Sequence, residues 1–159
     1  MKKIILLFFL NLTFANMSNL LGMGCMGELS REDSVKLGEA FRFAIINGRA
    51  SQVESLISGG VCVNVVDSHG LSPLINAVIN RKLVIVEMLL LAGACVNDLG
   101  MNENTTLHYA ATNGYSEIIE ILVLWGADVQ WLNDLRQTPA DLAKEHGFHK
   151  IAEYLYSLY

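Results

Sequence analysis

Residues 105–128 read "TTLHYAATNGYSEIIEILVLWGAD". The spacing is amphipathic and predicts helix, yet Gly114 and Gly126 cut it into pieces too short to be stable alone. Glycine accepts left-handed backbone without strain, so it stops helices. A chain that breaks one short helix and then the next is built from paired pieces. If so, the same arrangement should recur at a fixed distance.

It recurs at a step of 33 residues. "SPLINAVINRKLVIVEMLLLAGACVN" (72–97) aligns without a gap with "TTLHYAATNGYSEIIEILVLWGADVQ" (105–130). Leu74 matches Leu107, Ala77 matches Ala110, Asn80 matches Asn113, and Gly93-Ala94 matches Gly126-Ala127. One step further, "TPADLAKEHGFHKIAEYLYSLY" (138–159) continues the series, with Pro139 on Pro73 and Gly147 on Gly114. One step back, Ala44 matches Ala77, Gly60 matches Gly93, and Asn64 matches Asn97. Four units follow, at about 34–66, 67–99, 100–132 and 133–159.

Each unit has a physical reading. Ser72-Pro73 and Thr138-Pro139 pair a hydroxyl N-cap with proline at the first helical position, where no N–H is needed. Thr105 caps in the same way, with Thr106 in place of proline. The small residues Ala77, Ala110, Ala111 and Ala143 let neighbouring first helices lie close. Gly48, Gly114 and Gly147 end those helices, and Arg81 in the equivalent place is a candidate for strain. The second helices carry apolar stripes: Ile85, Val86, Leu89 and Leu90, then Ile118, Ile119, Leu122 and Val123. Their spacings put them on one face. No such pair can bury its apolar face alone, so neighbours must stack.

A 33-residue period with "SPLINA", "TTLHYAATNG", "TPADLA", "GGVCVN", "GACVN" and "GADV" resembles the ankyrin repeat. The resemblance covers residues 34–159. It implies an all-α fold, a solenoid of antiparallel helix pairs joined by extended β-turn loops. The first unit departs from the pattern, with "EAFRFA" at its start, as end units do. The resemblance also implies that His108 holds neighbouring turns by hydrogen bonds.

The amino terminus has a different character. "MKKIILLFFLNLTFAN" sets Lys2 and Lys3 before an apolar run, then Thr13-Phe14-Ala15, the layout of a bacterial-type secretory signal peptide. The run falls short of the about 20 residues that cross a bilayer. The expected division is signal peptide 1–15, leader 16–33 and repeat domain 34–159. The expected destination is the periplasm or the exterior, with no stable membrane insertion after cleavage, and the cytoplasm if the segment is retained. Cys25, after "LLGMG", fits a lipidation site poorly.

The chain carries 17% charged residues and a net charge of −5, with its basic residues scattered. This argues against a nucleic-acid surface. No nucleophile elbow, zinc-protease or phosphate-loop motif is present, so the expectation is a non-enzymatic protein without cofactor. The runner-up chemistry is a metal-carrying role for His69, His108, His146 and the cysteines. His146 and His149 are separated by Gly147 and should not share a helical face. Cys62 and Cys95 lie one unit apart, roughly 8–10 Å, beyond the about 7 Å that a disulfide spans.

Ankyrin-like stacks present a concave surface of turn tips and first helices that binds proteins. Carried onto this sequence, its positions are Ser68, His69, Leu71, Ile79 and Asn80, then Met101, Asn102, Asn104, Thr112 and Asn113. Val66, Leu99, Leu132 and Leu135 lie between and after them. Tyr109 and Trp131 stand nearby as candidate anchors, since aromatics often dominate interface energy. Many of these are apolar, which is unusual for a solvent-facing surface. The expectation is a monomer that binds one protein partner, or an inhibitor that blocks a specific enzyme. The same apolar groups could instead pack between turns or mediate self-association.

Overall fold

The computed structural model describes residues 31–159, with side chains from Val35 onward. The expected signal peptide, most of the expected leader and Cys25 lie outside the described residues. Eight helices follow: α1 (Arg31–Ile46), α2 (Ala50–Ser58), α3 (Pro73–Ile79), α4 (Leu83–Leu91), α5 (Thr106–Thr112), α6 (Ser116–Leu124), α7 (Pro139–Glu145) and α8 (His149–Tyr156). Among the described residues there is no strand, only an isolated bridge between Leu99 and Thr105. The fold is an all-helical solenoid. Helices α1, α3, α5 and α7 pack in succession to form one layer. Helices α2, α4 and α6 pack behind them, and each hairpin pair contacts within itself.

The caps explain why these helices start where they do. The hydroxyls of Ser72, Thr105 and Thr138 accept the N–H of Ile75, His108 and Asp141 respectively, each three residues on in its own helix. Two of these caps are reciprocal. Thr138 N–H donates to Asp141 Oδ2, and Thr105 N–H donates to His108 Nδ1. Each satisfies a donor that the helix leaves orphaned. Thr106 takes proline's place but leaves its buried hydroxyl without a partner.

The small residues do what close packing requires. Ala44, Ala77, Ala110 and Ala143 are all fully buried. Behind them, Ile85, Val86, Leu89, Leu90, Ile118, Ile119 and Leu122 are buried, with Val123 packed at the edge. The loop after each first helix passes through left-handed backbone. Gly114 does so at φ 71°, and Arg81 at φ 53°, which confirms the strained site expected there. In the first three units, the residue opening the next unit's second helix lies against this loop. Lys82 lies against Gly48, the Arg81 guanidinium sits 5.4 Å over the Tyr115 ring, and Phe148 covers Gly114.

Two asparagines sew the units together. Asn64 Nδ2 donates to Gly93 O at 3.2 Å, while its Oδ1 accepts from Cys95 N–H at 3.0 Å. Asn97 repeats both bonds one unit on, to Gly126 O and from Asp128 N–H. Cys95 is a free thiol and Cys62 is disulfide-bonded, so the two do not pair.

Candidate functional site

Between units, the chain turns through a tip, and three tips share one closing bond. Asp67, Gly100 and Asn133 each donate N–H to the carbonyl four residues on, at Leu71, Asn104 and Gln137. At the first tip, Asp67 Oδ1 accepts from the His69 and Leu71 N–H groups. At the third, Asn133 Oδ1 accepts from Leu135 and Gln137. These side chains mimic a backbone turn and stiffen the tip. Burial pushes the Asp67 carboxyl up, but its bonds from Leu71, Asn76 and His69 outweigh this and hold it below the usual carboxylate range.

The middle tip has no such side chain. Gly100 stands in the aspartate position, and Tyr109 fills the space, its hydroxyl accepting the Met101 N–H at 2.9 Å. A Cβ on Gly100 would lie 2.6 Å from the Tyr109 oxygen and 3.0 Å from Leu71 Cδ2. The turn itself passes through Asn102 and Glu103 at φ 58° and 55°.

Adjacent tips are also joined. Asn133 Nδ2 donates to Asn104 Oδ1 at 2.9 Å, and Asp134 N–H donates to Asn102 O at 3.1 Å. His108 completes the joint. Its Nδ1 accepts from Thr105 N–H, so its proton sits on Nε2, which donates to Gln137 O at 3.0 Å. Burial holds its pKa below the ordinary histidine value, against the opposing pull of Gln137 and Asp141. His108 therefore has the turn-holding role that the motif implied.

The expected docking residues divide into two groups. Val66, Ser68, His69, Ile79, Leu99, Met101, Asn102, Asn113, Leu132 and Leu135 are exposed, Leu135 to 72% and Met101 to 51%. Leu71, Asn80, Asn104, Tyr109, Thr112 and Trp131 are only half-exposed. Leu71 and Tyr109 turn inward over Gly100, Thr112 donates to the His108 carbonyl, and Asn80 donates to the Asn76 carbonyl. The Trp131 indole N–H is buried and unpaired, as is Asp98 Oδ2 one unit earlier. These groups support the tips, and the neighbouring residues present the surface. Val65, next to Val66 in the chain, is also exposed. On the opposite side, Val84, Leu91, Leu124 and Trp125 are exposed, Leu124 to 82%.

His146 caps α7 and His149 opens α8, on either side of Gly147. Among the described residues no three histidine, cysteine or acidic side chains gather in a metal-holding group. No helix among them is long and apolar enough to cross a membrane.

A search among curated proteins finds no match. The family model for ankyrin repeats (3 copies) matches residues 41–131 and 95–159. Repeats of this family are generally protein–protein interaction modules. With capped helix pairs, buried alanines and hydrogen-bonded tips on the same 33-residue step, the chain belongs to the ankyrin-repeat family.

Proposed function

We propose that this protein is a non-enzymatic binding module that holds one protein partner on its tip and concave face. The observation that carries the reading is the run of exposed apolar groups on hydrogen-bonded turns. Val65, Val66, Leu99, Met101, Leu132 and Leu135 face solvent, while the bonds beneath them hold the backbone. Preformed surfaces of this kind bind with little ordering cost. Exposed apolar groups clustered on a rigid scaffold favour an interface over bare solvent. The exposed side of α4 and α6 offers fewer such groups, from two units only, and is the weaker candidate.

A single partner tightly held would make this an inhibitor of that partner if the partner were an enzyme. The start of the sequence supports export, with the periplasm or the exterior as the place of action. The test is capture from the native compartment with the wild type and with Met101→Glu and Leu135→Glu. Both positions are exposed, so unchanged thermal unfolding of the variants serves as the fold control. Loss of the captured partner in both variants supports the face. An unaltered captured set refutes it.

A further inference from the structure

Val66, Leu99 and Leu132 stand at equivalent positions of three successive tips, and all three are exposed. The rungs are spaced by the packing of α3, α5 and α7, roughly 8–10 Å per step. We propose that the occupant of the tip face is an amphipathic α-helix, apolar at every seventh residue and basic along its flanks. This rests on the docking reading above and narrows it to a class of partner.

The period makes the first part of the argument. An α-helix rises about 1.5 Å per residue and returns to nearly the same face after seven, an advance of about 10.5 Å. One apolar side chain per rung therefore falls on each of the three steps. An extended strand does not fit. Three residues advance about 10 Å, but successive side chains alternate faces, so every second rung would meet the wrong side. A polyproline helix has a turn of about 9 Å and would match the spacing. Such helices dock in grooves lined by aromatic rings. Here the rungs are aliphatic, and the aromatics near them are turned inward, with the Tyr109 hydroxyl engaged by Met101.

Charge makes the second part. The three tip segments, 65–71, 98–104 and 131–137, hold Asp67, Asp98, Glu103 and Asp134 against Arg136 alone among lysines and arginines. An apolar ladder in an acidic frame fits lysine or arginine beside the partner's apolar stripe, and repels an acidic helix.

The experiment pans a displayed library of random peptides, about 24 residues long, against the intact chain. Enriched sequences should share an apolar seven-residue period with a net positive charge, and gain helical circular dichroism on binding. Leu99→Glu should weaken them about tenfold or more, and Leu124→Glu should not. Raising salt should weaken them further, because part of the attraction is screened. Enrichment of proline-rich, acidic or aperiodic peptides overturns the proposal, as does no enrichment. Tip binding by a synthetic peptide of residues 1–30 overturns it. So does a dimer in sedimentation that Leu99→Glu dissolves. If a native partner is lost with Met101→Glu while the enriched peptides are not helical, the face stands and the occupant is wrong.

Discussion

Tyr109 takes the place of the side chain that Gly100 lacks. In the preceding unit the equivalent pair is Asp67 and Asn76, joined by Asn76 Nδ2 donating to Asp67 Oδ2 at 3.1 Å. In the following unit it is Asn133 and Leu142. Three solutions thus serve one turn: an acid with an amide, a glycine with a phenol, and an amide with an apolar side chain. Gly100→Asp alone should destabilise by about 1–3 kcal/mol, because its Cβ meets the Tyr109 ring. Adding Tyr109→Asn, which transplants the second unit's pair, should recover most of the loss. A double-mutant cycle by denaturant unfolding measures this coupling, and strict additivity would refute the exchange.

The two stitching asparagines give a second prediction. Asn97→Ala removes one donor and one acceptor that face the next unit's backbone. Stability should fall by about 1–2 kcal/mol. Asn64→Ala should do the same at the preceding joint. Hydrogen exchange should speed up at Asp128 N–H in the first variant and at Cys95 N–H in the second.

Opposite signs are expected at two other positions. Thr106→Pro should stabilise by about 0.5–1 kcal/mol. The residue already sits where Pro73 and Pro139 sit, its N–H is the one a helix leaves orphaned, and its buried hydroxyl is unpaired. Gly114→Ala should destabilise by about 2–3 kcal/mol. Its backbone lies at φ 71°, and the added carbon would meet the Phe148 ring at 2.4 Å. Thermal unfolding of both variants checks the pair.

The third joint should respond to acid. His108 has its pKa lowered from 6.5 chiefly by burial, so the folded state favours the neutral ring and binds fewer protons than the unfolded chain. Its contribution is complete above about pH 6.5 and is lost as pH falls through the folded value. Asp141 adds a second loss at lower pH. The Tyr156 hydroxyl bond, 2.6 Å long, and the Thr138 bonds outweigh its burial and lower its carboxyl. The same bond pushes the Tyr156 phenol up to about 12. Denaturant midpoints measured from pH 4 to 8 should fall on the acid side in the wild type. His108→Gln should flatten the upper part of that fall.

Much of the fold is legible in residues that have only one physical use. A hydroxyl before proline, an alanine at a fixed step and a glycine past an apolar stripe leave little choice, and each stands where expected. Even the strain at Arg81 followed from comparing it with Gly48 and Gly114. The docking face is harder to read. Repeat position identifies which residues lie on the tip, but not which turn in. Leu71 and Tyr109 pack over Gly100 because that one site lost its side chain, and a neighbour took the space. A glycine where other units carry aspartate or asparagine, with a tyrosine nine residues on, was the signal. The outer groups Leu124 and Trp125 were not visible as exposed either, because a second-helix stripe does not show how far around the helix the cover extends.

The most direct measurement places a photo-cross-linking amino acid at Met101, at Leu135 and, as a control, at Leu124, in the chain expressed in its native compartment. All three positions are exposed. One protein adduct of the same mass from Met101 and Leu135, and none from Leu124, is the predicted result. An adduct from Leu124 alone, or none from either tip position, would contradict the account.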